Sequence, residues 1–526
     1  KLWICLTIKF LEQSIFNHIL VSMAGGMKTL AKETFFYGIG SVLPKLLSWL
    51  LSLYWAFALP KISDIGVLTN FYAWVALLQV ILTYGMETGY FRYANKEKDS
   101  VRVFSTTFLS IATSTSFFFI LAVLFLKPVA FALGGTAMKP HYLLLLLLIL
   151  CVDVLGAIPF ANLRFKKRPV RFATIKIVNV ALTILFNLFF FLACPRLKIS
   201  FPDTFEWFDI GRGVDYILVS NLAASVIQFL MVSPGLRIRF TFDKALLREM
   251  LKYSFPILIL GIAGILNQTV DKIVFPWLYP DKVNAFTELG IYGQNFKIAI
   301  IMVMFTQAFR YAFEPFIFAR NREAADDRQS FSDATRYFII FGLLIFLVTT
   351  GYIDIIKYLI PASYHEGLKV VPIVLLGELF FGVFFNLSLW YKLTDQTRWG
   401  AYISMTGFAI TLLINILFIP HFGYMACAWA SFIANLTMMV ISYFLGQKNY
   451  PIPYNLKSAG SFFLLTMILF AGFALVYLKV EVLWLRLGIN SIFILIYLAF
   501  VIKKELPLQY WPLVGRYFGK SHKREE

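Results

Sequence analysis

The sequence predicts an all-α polytopic membrane protein of about fourteen transmembrane helices, arranged as two six-helix lobes followed by two additional helices. Apolar runs of about 20 residues recur along the whole chain, long enough at about 1.5 Å per residue to cross a hydrocarbon core of about 30 Å. Of 526 residues, 59% are hydrophobic, 18% aromatic and only 15% charged, with a mean hydropathy of +0.74, outside the balance of soluble domains. The net charge of +19 sits in short breaks between apolar runs, the pattern of loops that face the cytoplasm, and not on a polar surface that would bind nucleic acid.

Taken in order, the runs fall near 33–58, 66–90, 102–126, 139–161, 171–194 and 214–232, then 250–275, 289–313, 335–354, 367–390, 398–420 and 422–446, and finally 457–478 and 483–502. Met27 opens MKTLAKETFFYG, which reads as a natural start, so 1–26 is set aside as an upstream extension within an N-terminal cytoplasmic segment, 1–32. The first lobe is then 33–232, a basic cytoplasmic linker 233–249, the second lobe 250–446, two further helices 457–502 and a basic tail 503–526. With the N-terminus inside, loops on that side hold roughly 33 Lys and Arg against roughly 12 outside, which places both termini in the cytoplasm. Arg164-Phe165-Lys166-Lys167-Arg168 is the strongest such marker.

The first span carries Lys45 near its middle. Ser41, Ser48 and Ser52 share its helix face, spaced at steps of four, three and four. In the second span Tyr72, Gln79, Thr83 and Glu87 share a face. In the fifth, Lys176, Asn179, Thr183 and Asn187 do so, and in the sixth Asn221, Ser225 and Gln228. A single polar stripe is more often glue between helices, but several stripes that include lysines describe the wall of a hydrated cavity. Lys297, Arg310, Asp153 and Glu378 also fall within spans, with Asp271 nearer an end. Each needs a partner, a proton or water, because a bare charge at mid-membrane costs at least about 2.5 kcal/mol. The second half repeats features of the first. Pro256 stands early in its span as Pro44 does, and Glu288-Leu289-Gly290-Ile291-Tyr292 echoes Ser63-Asp64-Ile65-Gly66-Val67.

Several chemistries are excluded. Cys5, Cys151, Cys194 and Cys427 form no CxxC pair, and the five histidines form no HExxH. The tail segment from Gly515 to Ser521 places three residues between its glycines where a P-loop needs four. The breaks between spans are too short to fold as a separate catalytic domain, so the chain is expected not to be an enzyme and to need no cofactor beyond Na⁺ or H⁺ coupling.

The Pro44-Lys45 helix, the ALPKISDIGVLTNF turn, YGMETGYFRYA, YSFPILILGIAGILNQTVDK and ELGIYGQNFKIA, in that order over about 27–505, resemble the polysaccharide or O-antigen flippases of the multidrug/oligosaccharidyl-lipid/polysaccharide exporter superfamily. The resemblance implies a multi-pass protein of the cell inner membrane that moves an undecaprenyl-diphosphate-linked oligosaccharide to the outer leaflet by alternating access. The product would serve O-antigen or lipopolysaccharide synthesis, with a polymerase and assembly proteins as partners. On this reading Lys45, Lys176, Lys297, Arg310, Gln79, Asn179 and Asn187 contact the substrate; Lys45 either binds its diphosphate or forms a buried pair, for example with Asp271 or Glu378. Asp153, Asp271, Glu378 and Glu87 form a coupling-ion site or structural pairs, and the last two spans guide the prenyl tail. The alternative is a cation-coupled multidrug exporter of the same superfamily, against which the mid-span lysines argue.

Overall fold

In the computed structural model, which describes residues 25–234, 242–323, 328–394 and 396–505, the chain is helical with no strand among the described residues. The first half contains α1 (Gly25–Ala58), α2 (Ile62–Thr83), α3 (Met86–Lys96), α4 (Ser100–Leu124), α5 (Leu126–Gly134), α6 (Pro140–Phe165), α7 (Pro169–Leu188), α8 (Cys194–Ser200) and α9 (Gly213–Val232). The second contains α10 (Lys244–Leu278), α11 (Ala285–Glu323), α12 (Arg328–Gly351), α13 (Ile353–Ile356), α14 (Val371–Leu387), α15 (Leu389–Leu393), α16 (Arg398–Phe422) and α17 (Tyr424–Asn449), followed by α18 (Leu456–Lys479) and α19 (Leu483–Glu505). Among the described residues thirteen helical stretches are long and apolar enough to cross a membrane, and α1 adds a shorter apolar stretch, Val42–Ala58, at the position of the first expected span. The protein is therefore a multi-pass membrane protein. Residues 1–24, residues 235–241 of the 233–249 linker and the tail beyond 505 lie outside the described residues.

Local chemistry sets the helix ends. Asp99 accepts the backbone N–H groups of Val101 and Arg102 at the start of α4, and Asp243 those of Ala245 and Leu246 at the start of α10, satisfying donors that have no partner within the helix. Three expectations change. The second span is two helices, because Tyr84 (φ 32°) and Gly85 (φ 70°) break it in the left-handed region, where glycine alone is unstrained. The fifth span passes through a π-helical stretch, Phe189–Ala193, and continues as α8 beyond Pro195. Pro195 has no N–H to donate to the turn before it, and the π-helical stretch falls in that turn. A short helix, α5, fills part of the loop between the third and fourth spans.

Packing repeats between the halves. α7 packs on α1 and on α9, and α9 on α6. In the second half α16 packs on α10 and on α17, and α17 on α14. The halves meet where α2 crosses α11, at the point of the sequence echo. A Cβ on Gly66 would lie 1.8 Å from the carbonyl oxygen of Phe286, and one on Gly290 would lie 2.3 Å from that of Ile62. Each glycine thus faces the carbonyl one helical turn before the other, a reciprocal contact open only to residues without side chains.

At the face carrying Arg164–Arg168, hereafter the basic face, the halves also touch. The Arg92 guanidinium lies 4.1 Å over the Tyr253 ring, and Arg102 pairs with Asp243. The last helix, α19, is clamped to α12 and α13 at one end and to α12 at the other. Arg486 meets Asp354 at 2.7 Å and Asn490 donates to the Gly351 carbonyl at 2.7 Å at one end, while Arg336 meets Glu505 at 3.3 Å at the other.

Candidate functional site: a cationic cavity on the seam

Two adjoining cavities, of about 480 and 630 Å³, occupy the seam between the halves and share Ser52, Ile300, Val303 and Gln307 in their walls. Lys45 lies thirteen residues before the end of α1 and Lys297 twelve after the start of α11, so both sit about 18–20 Å from the face opposite the basic one, near the middle of the membrane.

The larger cavity is lined by Lys45, Ser48, Lys176 and Asn179. Lys45 is open to it and donates one hydrogen bond across the seam, to the Gln307 amide oxygen at 2.8 Å. The Lys176 ammonium lies 4.2 Å over the Phe160 ring. The second cavity is walled by Trp55, Tyr72, Phe296, Phe381 and Phe385 and carries Lys297, Lys272, Arg310 and Glu378. Trp55 and Tyr72 stack with centroids 6.1 Å apart, and the Arg310 guanidinium lies 4.7 Å over Phe385. Lys297 reaches back to the first half, donating to the Ser52 carbonyl at 2.9 Å and to Gln294 Oε1 at 2.8 Å. The Trp49 indole donates to the Lys297 carbonyl at 2.7 Å. Among the described residues, the Lys45 and Lys297 ammonium groups donate hydrogen bonds to neutral oxygens and to no carboxylate.

Of the residues singled out by sequence, Lys45, Lys176, Asn179, Lys297, Arg310 and Glu378 line these cavities. Gln79 and Asn187 do not. Gln79 is exposed nearly two turns beyond Ala73, the last α2 residue in the wall, and Asn187 is buried, accepting the Trp55 indole N–H at 2.9 Å and donating to the Thr183 carbonyl. Glu87 pairs with Arg164 at 2.7 Å. Asp153 sits behind the wall with Ser225 and Lys176 as polar neighbours. Asp271 is buried, held by Lys272 at 2.9 Å and the Tyr292 hydroxyl at 2.8 Å. A pairing of Lys45 with Asp271 is thus not what forms. Lys272, Gln307 and the aromatic wall apart from Tyr72 escaped sequence reasoning. Lys272 read as the polar end of a span, and the aromatics do not stand out in a chain that is 18% aromatic.

Two repeated halves around a seam cavity, with two further crossing helices after them, define a polytopic membrane protein. Residues 30–318 match the sequence profile of the family described as polysaccharide biosynthesis protein, and the chain belongs to that family. Its fold is similar to that of a solved structure titled lipid II flippase MurJ, inward closed conformation, with a TM-score of 0.65 at 14% identity over 89% of this chain and 99% of that one. It is similar also to an inward-facing multidrug resistance transporter of the MATE family and MOP superfamily, with a TM-score of 0.59 at 11% identity over 79% of this chain and 97% of that one. A search of curated protein sequences finds no match.

Proposed function

We propose that the protein is a flippase that carries an undecaprenyl-diphosphate-linked oligosaccharide from the inner to the outer leaflet of the cytoplasmic membrane by alternating access. The basic face and both termini would be cytoplasmic, and the glycan would be used to build a surface polysaccharide such as O-antigen. The observation that carries the reading is the cavity itself. Its described walls hold five cations, Lys45, Lys176, Lys272, Lys297 and Arg310, and one carboxylate, Glu378. Fixed cations offset the hydration that a diphosphate loses on entering the membrane, and the aromatic wall offers flat apolar surfaces to sugar rings. An organic-cation exporter would need the opposite charge balance.

A groove of about 550 Å³ between α12, α14, α17 and α18 is apolar along its length, with Arg336 among its few polar residues. It supports the reading that the last helices guide the prenyl tail. A polymerase and assembly proteins would receive the product on the outer side, and Na⁺ or H⁺ coupling at Asp153 or Glu378 would drive return of the empty carrier. Deletion of the gene tests the proposal. It should cause a lipid-linked oligosaccharide to accumulate on the inner leaflet, and a lipid fraction unchanged by deletion would overturn it.

A further inference from the structure

Lys272 differs from the other lysines of the cavity. Its stem lies against the cavity, with the ammonium 4.3 Å from the Phe296 ring centroid. Its three donors, however, are all spent on its own helix: Asp271 Oδ1 at 3.0 Å, Asp271 Oδ2 at 2.9 Å and the Gln268 carbonyl at 3.1 Å. Successive residues on a helix point about 100° apart, so the long side chain has to curl back to make this pair. Its backbone is fixed from the other half, where Asn70 Nδ2 donates to the Lys272 carbonyl at 2.7 Å, which leaves the side chain as the part free to move.

Asp271 has a second anchor. With a side chain 2% exposed, it also accepts the Tyr292 hydroxyl at 2.8 Å, a donor from another helix, so departure of the ammonium need not strand a buried carboxylate without a donor. Lys272 also lies six residues from the end of α10, about 9 Å from the face opposite the basic one, nearer to it than Lys45 or Lys297.

We propose that Lys272 is a withheld substrate contact and Asp271 its competitor. The anionic headgroup takes the Lys272 ammonium from Asp271 as it moves toward the outer side, and Asp271 reclaims the ammonium and so favours release. The inference rests on the anionic-substrate reading above and adds to it a residue that opposes binding.

The test uses the full chain in lipid nanodiscs, with farnesyl diphosphate as the binding probe. Asp271→Asn should bind about tenfold more tightly than the unaltered protein, since a charged hydrogen bond is released to the ligand. Lys272→Gln alone should weaken binding about threefold, but in the Asp271→Asn background it should remove the whole gain. In proteoliposomes Asp271→Asn should lower both the half-saturating substrate concentration and the turnover, a split that loss of a purely structural pair would not produce. Where Asp271→Asn does not accumulate, Tyr292→Phe supplies the readout: it removes the other donor to Asp271, tightens the hold of Asp271 on Lys272 and should weaken probe binding, with unchanged binding overturning the proposal. Unchanged or weaker binding by Asp271→Asn, with Lys45→Gln still costing about tenfold, would overturn this inference and leave the substrate reading standing. Failure of the unaltered protein to bind the probe would overturn both.

Discussion

Among single residues, Lys45 carries the sharpest expectation. It donates to the Gln307 amide oxygen and opens to the cavity at mid-depth. Lys45→Ala should therefore leave the amount of folded protein near normal and abolish flipping, while Lys45→Arg retains part of it because the charge survives. Membrane level and transport, measured on the same cells, decide the matter, and normal transport by Lys45→Ala would remove Lys45 from the site.

Asp354 makes the opposite, structural case. Burial pushes its carboxyl up, but hydrogen bonds and charge from Lys357 and Arg486 outweigh it and hold the carboxyl below its ordinary value. Its contribution is then present above the unfolded carboxylate pKa of about 3.9 and is lost as pH falls through the lower folded value. Asp354→Asn should cost about 2–4 kcal/mol near neutrality, and the gap in unfolding temperature between variant and parent should close below about pH 3.9. A gap constant with pH would contradict the ionised clamp.

Among elements, the crossing of α2 and α11 matters most. Gly66→Ala would drive a methyl group into the Phe286 carbonyl, 1.8 Å away, so the two helices must separate on the side opposite the basic face. In a background without native cysteines, a cysteine at Thr69, which touches Gly293 across the same crossing, should react faster with a bulky, impermeant thiol reagent once Gly66→Ala is added. Gly264→Ala, whose Cβ would meet nothing within 4 Å, should change neither this rate nor stability by more than about 0.5 kcal/mol. Equal reactivity with and without Gly66→Ala would show that the crossing does not close that face.

What the sequence disclosed at this scale follows from what periodicity measures. It shows which residues share a helix face, as Ser48, Lys45 and Ser52 do, but not what that face meets. Asn187 shares a face with Lys176 and Asn179, yet it is consumed by the Trp55 indole. The glycine echo was visible as a repeat, but its meaning as a reciprocal crossing required both helices in place. Tyr84-Gly85 stood in a recognisable stretch without betraying the break, because the polar positions Gln79, Thr83 and Glu87 keep helical spacing across it. Lys272 was hidden by its neighbour, since an adjacent acid and base near a span end read as solvated.

For the whole molecule, span count and the division into repeated halves were legible because each crossing needs its own apolar run, and the packing pattern repeats accordingly. Orientation is the next whole-molecule claim. A reporter active only outside the cytoplasm should be active when fused after Pro202 and silent when fused after Lys167, and the reverse pattern would invert the carrier. Charge balance in the seam cavity is the central claim. Its most direct test is binding by the purified full chain of an undecaprenyl-diphosphate-linked glycan and, separately, of a fluorescent lipophilic cation. The glycan lipid should bind, with affinity lost on Lys45→Ala, and the cation should not compete with it. Saturable binding of the cation, with none of the glycan lipid, would contradict the account.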